Sequence, residues 1–348
     1  MHFARLMVSC AAAAAVASPL SAQLATTPRA LGMGGAYVAV ARGQEAIFQN
    51  PANLALPGNP HASLAAPQIT VGGTLTGLSF GDLSDLRSFD ELTDAERAGI
   101  VGRVPDEGTM AEGDIRIPVF SMSFRRALFG ASYNVVARHG VARDVVDLVL
   151  NGVQLTRLQG IDPYDDDAIL AQSQGYRAAY VDLMAGYAHR VGPLSLGVTG
   201  HYLMGRGLVR SGVVAIDTVL AGVNSDIGVT YAGVKRDGGT GFGLDVGAAF
   251  QPTPAITLSA AVANVVNTLE WKDEQEIRSV RLDRTNYRNG DPEAIRNEYS
   301  GSVRPLSQAN PLLVARSRGL IDDLDVGAEL APTLRAGAAW QPRTGTTV

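Results

Sequence analysis

The 348-residue chain sets Lys+Arg 29 against Asp+Glu 34, a formal net charge of -5 at pH 7, which offers no concentrated cationic surface for nucleic acid. Hydrophobic residues make up 46% and charged residues 18%, so the chain is too apolar and too weakly charged for disorder. Its 39 glycines disfavour a compact leucine-rich helical protein.

Residues 1–22 read MHFARLMVSCAAAAAVASPLSA. Arg5 supplies a basic start, Leu6 to Ala17 an apolar run, and Pro19 a helix break. Leu20-Ser21-Ala22 before Gln23 looks like a signal-peptidase site, although Leu20 is bulkier than the small residue usual there. The run is ~12 residues, short of the ~20 of a membrane-spanning helix. Residues 1–22 therefore read as a cleaved signal peptide. Cys10, the one cysteine, lies inside it, with the apolar run after it rather than before it as in a lipoprotein. A mature chain from Gln23 has no cysteine, which excludes thiolate metal sites, catalytic thiols and disulfides. No later run of ~18 apolar residues exists, so no spanning helix is expected. Export without cysteine points to the periplasm or outer membrane of a Gram-negative bacterium.

Residues 28–57 are PRALGMGGAYVAVARGQEAIFQNPANLALP. Gly32, Gly34 and Gly35 interrupt any long helix. They miss a dinucleotide fingerprint, lacking its third small residue and a preceding strand. Pro51 restricts Asn50 to an extended or turn conformation, which suits a sharp reversal.

Beyond this stretch the apolar residues alternate. The third strand, IRIPVFSMSF, contains Pro118, which has no N–H for a ladder and belongs at a bulge, an edge or a strand end. A kink there would part the wall; alternatively Pro118 merely starts the strand. Over 128–138, Phe129, Ala131, Tyr133 and Val135 oppose Gly130, Ser132, Asn134 and Arg138. Over 178–190, Ala179, Val181, Leu183, Ala185 and Tyr187 oppose Asp182, Gly186 and Arg190. After Gly192-Pro193, Leu194, Leu196, Val198 and Tyr202 oppose Ser195, Gly197, Thr199 and His201. The clearest case is 241–251, with Phe242, Leu244, Val246, Ala248 and Phe250 on one face. Pro252 and Pro254 turn the chain into 255–267, and Leu334, Ala336, Ala338 and Trp340 alternate near the end. This is the period of strands with one apolar face. About twelve such segments are expected. Helices are expected over 90–103, with Asp90 and Thr93 as N-cap candidates, and over 144–151. Long polar loops are expected over 82–112, 139–174 and 270–325.

A secreted β-sandwich also alternates. Strands of ~10–13 residues, a small and polar second face, and short turns alternating with long connections favour a transmembrane antiparallel β-barrel of about 12–14 strands instead.

The stretch GMGGAYVA, then Phe48-Gln49-Asn50-Pro51-Ala52, resembles the start of the long-chain fatty-acid outer-membrane transporter family. The Asn-Pro-Ala triplet after an aromatic residue is that family's mark; Asn53 departs from its usual glycine. The strands at 240–267 and PTLRAGAAWQP (332–342) are also similar. The resemblance is nearer to uncharacterised or secretion-associated relatives than to the fatty-acid transporters themselves. It implies about fourteen strands, a lumen plugged by an N-terminal hatch over 23–60, and a lateral gap for hydrophobic molecules. The hatch residues Phe48, Asn50, Pro51 and Ala52 would then line substrate passage, with Pro118 supplying the gap. Such barrels finish on a strand ending in an aromatic residue, whereas this sequence ends Thr346-Thr347-Val348. Either the sequence is truncated or the last strands are missing, and closure of the expected barrel is left open.

Chemical motifs are weak. Gly77-Leu78-Ser79-Phe80-Gly81 matches an esterase pattern that requires a strand-to-helix elbow, and with this much glycine a chance match is expected. His61, His139, His189 and His201 stand singly. His201, beside Thr199, either pairs with a carboxylate or is solvated in the lumen, and solvation is the expectation. Asp162, Asp165, Asp166 and Asp167 could hold Ca²⁺ but lack the spacing and glycine of an EF-hand, so a solvated loop is expected. No catalytic residue, metal or cofactor is assigned, and no enzyme is expected. The expected function is passive passage of small hydrophobic compounds, with outer-membrane lipids and the ligand as partners. The alternative is a non-transporting barrel serving a secretion or conjugation apparatus. An apolar pocket beside Asn50 would favour the first, and a polar or filled interior the second.

Overall fold

The computed structural model describes residues 28–33, 36–65, 67–79, 81–82, 92–151, 166–221, 224–272, 274–286, 296–321 and 332–341. Residues 1–22, expected to be a signal peptide, and Asp90, Asp162 and Asp165 lie outside them. The fold is predominantly antiparallel β-sheet. Among the described residues no helix is long and apolar enough to cross a membrane.

Helix α1 (Pro28–Gly32) leads into two 3-10 turns, Gly43–Phe48 and Pro51–Ala55. Then come β1 (Ala62–Ala65), β2 (Thr70–Thr76), helix α2 (Asp94–Arg103), β3 (Thr109–Phe124) and β4 (Ala127–Val141). Helices α3 (Arg143–Asn151) and α4 (Asp166–Gln172) precede β5 (Gln174–Val191), β6 (Leu194–Ala221) and β7 (Asn224–Arg236). The chain continues through β8 (Gly239–Thr253), β9 (Ile256–Asn267), β10 (Glu270–Trp271) and β11 (Glu274–Asn286). It ends in β12 (Arg296–Pro305), helix α5 (Pro311–Ile321) and β13 (Thr333–Trp340).

The 13-stranded sheet is a simpler object than its strand count suggests. β7 and β8 both run antiparallel to β6, β7 against Leu208–Ala221 and β8 against Leu194–Gly205, so they are one descending pass. β9, β10 and β11 likewise climb in succession beside β8 and then β7. β1 and β2 share one register against β3. The described strands thus make eight up-and-down passes, each beside the last, with the β1–β2 pass at one edge and β12 with β13 at the other. No described pairing joins those edges, so the sheet is open where a closed barrel was expected. It curls nonetheless, because one N-terminal segment touches both edges. Gln44 N–H donates to Ser63 Oγ of β1 at 2.7 Å, and Arg335 of β13 donates to the Phe48 carbonyl.

All three expected loops are partly regular structure. Of 270–325, β11, β12 and α5 take most of the described residues. Their strands are polar on both faces, so no apolar alternation announces them. In 82–112 the chain forms α2 and the start of β3. Thr93 caps α2 in a reciprocal box: its Oγ1 accepts from Glu96 N–H, and its own N–H donates to Glu96 Oε2 at 2.8 Å. In 139–174 it forms α3 and α4. The apolar faces of α2, α3 and α4 pack together and onto β6 and β7 at the long-connection end.

Towards the short-turn end the usual distribution is reversed. On β6, Leu196 is 51% exposed while its neighbour Ser195 and the next polar residue, Thr199, are fully buried. Exposed apolar side chains continue around the same face at Phe124, Phe129, Leu183, Tyr187, Val198, Tyr202, Phe242, Val246, Leu334 and Trp340. Ser121, Ser123, Ser132, Asn134, Thr257 and Ser259 are buried on the other. The concave face holds the N-terminal segment, and the convex face is greasy.

Candidate functional site

The Asn50-Pro51 pair behaves as proline chemistry requires. Asn50 is extended (φ -156, ψ 112) and caps the turn that follows, its Oδ1 accepting from Ala52 N–H at 2.9 Å. Its Nδ2 donates to the Ala248 and Ala260 carbonyls, both at 3.0 Å, and to Ser259 Oγ at 2.7 Å. Ser259 Oγ passes the bond on to Asn53 Oδ1 at 3.1 Å, and Asn53 Nδ2 donates to the Val38 carbonyl at 2.7 Å. Asn50 and Asn53 are both fully buried. The surroundings of Asn50 are therefore polar and filled.

Two glycines make the seat. Gly197 of β6 and Gly247 of β8 are direct register partners. A Cβ on Gly197 would fall on the backbone of Pro51 and Ala52, and one on Gly247 would fall on Asn50 Oδ1. The Asn-Pro-Ala turn thus sits in a notch cut across two adjacent passes. On the other side Ala46, Ile47, Phe48, Leu54 and Ala55 bury against Leu128, Met184 and Ala188 of β4 and β5.

Phe48 stands closest to an interruption of the sheet. Between the pairs Ala65–Ser121 and Thr70–Arg116, residues 67–69 lie outside both β1 and β2, so the pass beside β3 is interrupted there. Pro67 and Pro118 both lie in that interval, and neither has an N–H to give. On its β4 side Pro118 marks a bulge: Pro118 pairs Ser132, Phe120 pairs Ala131, and Val119 is left over. Val119, Phe120 and Ile69 point their apolar side chains outward. Just behind, Arg116 lies over the Phe48 ring at 5.8 Å and its Nε donates to Asn134 Oδ1 at 3.1 Å. A Cβ on Gly130 would touch both Ile47 Cδ1 and the Phe120 carbonyl, which places Ile47 against the back of the bulge. Of the residues expected to line passage, Phe48 lies by this interval, whereas Asn50, Pro51 and Ala52 are anchored in the glycine notch.

The other motifs resolve differently. Ser79 donates through both its N–H (2.7 Å) and its hydroxyl (2.8 Å) to Asp82 Oδ2, and Arg103 of α2 pairs with the same carboxylate. No imidazole belongs to that set; it is a turn fastened to a helix. The Ser79 N–H, then its hydroxyl and then Arg103 hold the Asp82 carboxyl below its ordinary range. The fastening therefore contributes above the usual aspartate range and is lost as pH falls through and below it. Limited proteolysis in acid should cut near Ser79 faster in the native protein than at neutral pH, and an Asp82→Asn variant should lack that acid step.

His61 and His189 are exposed, and His139 meets the Tyr231 hydroxyl. His201 departs from the expected solvation. Its Nδ1 lies 3.1 Å from both oxygens of Asp182 on β5, and its Nε2 lies 3.3 Å from Asp245 Oδ2 on β8. The carboxylates face opposite ring nitrogens, so they do not converge on one ion. Among the described residues no group of acidic, histidine or cysteine side chains is placed to hold a metal. The sequence carries no signal for Arg116, Asp182, Asp245 or Arg335, whose partners lie on neighbouring strands or on the N-terminal segment.

No family model, curated protein or solved structure matches the chain.

Proposed function

We propose that the protein is embedded in the outer membrane of a Gram-negative bacterium and passes small hydrophobic compounds between its interior and the lipid. The reversed distribution of side chains supports the membrane part. Leu194 to Tyr202, the exposed apolar stretch of β6, covers about 26 Å at ~3.3 Å per residue, comparable to the ~25 Å apolar band of outer-membrane barrels. Lipid does not tolerate unpaired strand edges, so the proposal includes closure of the sheet between the β1–β2 pass and β13. Residues 1–22 would be the export signal.

The observation that carries the transport reading is the interval between β1–β2 and β3, with Pro67 and Pro118 inside it and Ile47 and Phe48 behind it. It is a side exit lined by apolar residues, with the N-terminal segment as its inner stopper. Movement would involve Gly43–Phe48 rather than the anchored Asn-Pro-Ala turn. Binding would be by burial, at roughly 25 cal/mol per Å². Proteoliposomes loaded through the protein with an aromatic hydrocarbon probe test this. A Pro67→Val, Pro118→Val double variant restores two ladder donors and should lower entry severalfold while leaving membrane insertion intact; unchanged entry sinks the side-exit reading.

A second reading, a non-transporting barrel that serves a secretion apparatus, is favoured by the polar, filled surroundings of Asn50. It predicts normal probe entry in a deletion strain together with loss of a secreted cargo.

A further inference from the structure

The Asp182–His201–Asp245 group lies one to two rows along the sheet from the glycine notch, on the two passes that form it and on β5 beside them. On β6, His201 is four residues from Gly197, with fully buried Thr199 between them. On β8, Asp245 is two residues from Gly247; on β5, Asp182 is two residues from Met184, which packs under Leu54 and Phe48. The three side chains are only 9%, 13% and 14% exposed.

A neutral imidazole carries one N–H, so one ring nitrogen would aim a lone pair at a carboxylate. The imidazolium removes that mismatch: Nδ1–H donates to Asp182, and the second N–H faces Asp245 at 3.3 Å as an ion pair without closing a hydrogen bond. The arrangement is then carboxylate, cation, carboxylate across β5, β6 and β8. One further contact extends it to the next pass. Asp245 Oδ1 accepts from Asn264 N–H at 2.7 Å, where β9 bulges and Asn264 turns to φ 56. Arg335 of β13, opposite Ala261 of β9, which in turn pairs with Gly247 of β8, donates directly to the Phe48 carbonyl. Arg116 of β3, over the Phe48 ring, and Asp114, two residues from it on the same strand face, are the further charged groups on this side of the segment.

We infer that this group is a charge lock on the seat of the N-terminal segment: the imidazolium of His201 draws β5, β6 and β8 together beneath the segment, and its loss lets the seat spread and the segment loosen. His201 acts here as a positioning residue. The inference rests on the segment being the movable part of the proposed passage, but its test reads the segment and not transport.

The chain has one cysteine, Cys10, so a reporter is simple to install. In a Cys10→Ser background, Ala46→Cys places a thiol in a fully buried position of the segment, and its labelling by a methanethiosulfonate reagent reports loosening. His201→Gln leaves two facing carboxylates without their cation and should raise the labelling rate about tenfold, since removing one member of a buried charge group is costly. The triple variant Asp182→Asn, His201→Gln, Asp245→Asn removes every charge and should return the rate towards that of the native protein. Raising the pH until the ring loses its second proton should loosen the native protein but add nothing in His201→Gln, after correction for thiol ionisation. If the single variant labels like the native protein, or if the triple variant labels faster than the single one, the lock is overturned and the group is packing. Retained β-sheet circular dichroism in each variant separates loosening from failure to fold. Normal probe entry in His201→Gln alongside faster labelling would sink the transport reading while leaving the lock in place.

Discussion

A Gly197→Val variant is expected to unseat the N-terminal segment. The added Cβ would meet main-chain atoms of Pro51 and Ala52, which cannot swing aside as a flexible side-chain end would. Overpacking a tight site usually costs about 1–3 kcal/mol and sometimes more. Here the obstacle is backbone on both sides, so the loss should reach about 3 kcal/mol or appear as an expelled segment. Protease protection of residues 28–60 and thermal unfolding would report it. Gly200→Ala is the control: its new methyl meets nothing nearer than 3.9 Å, and the change should stay within about 0.5 kcal/mol. If both variants protect the segment equally, the notch has no role in seating it.

Asn50→Asp should do comparable damage by a different route. The shape is preserved, but the amide that donates to Ala248, Ala260 and Ser259 becomes an oxygen facing two carbonyl oxygens. Each buried acceptor left without its donor costs about 1–3 kcal/mol, and an uncompensated buried charge costs more. A loss of at least ~3 kcal/mol is expected, largest near neutral pH and smaller in acid, where a protonated carboxyl can again donate. A variant as stable as the native protein would show that the Asn50 bonds are replaced at no cost. Together the two substitutions distinguish the shape of the notch from the bonds that fill it.

Much of the sheet was legible from the chain alone, for a definite reason. β4, β5, β8, β9 and β13 lie where their apolar residues face one environment and their small or polar residues another, and that difference writes a period of two. The cap of α2 was legible because Thr93 and Glu96 act within one turn. β11 and β12 were not, since both their faces are polar. β6 was read only as far as Tyr202; the structure carries it on to Ala221, where the alternation ends and helices cover the strand. Pro118 was legible as a bulge, edge or strand end. That Pro67 lies in the same interval of the ladder needed the register. Asn50 could be read as a reversal, but its three acceptors come from β8 and β9, and its seat from two glycines on β6 and β8. His201 was read as solvated because nothing local offers it a partner; Asp182 and Asp245 arrive from the neighbouring strands.

The sequence by itself determined the class of structure, the faces of most strands and the place where the N-terminal segment reverses, because these depend on residues close along the chain. The tertiary structure decided that eight passes lie side by side in an open, curled sheet, and which glycine meets Asn50. It also decided which carboxylates meet His201 and where the wall is interrupted. Those follow from hydrogen-bond register, a relation between strands rather than a property of either one, and a slip of one residue would turn every inward side chain outward.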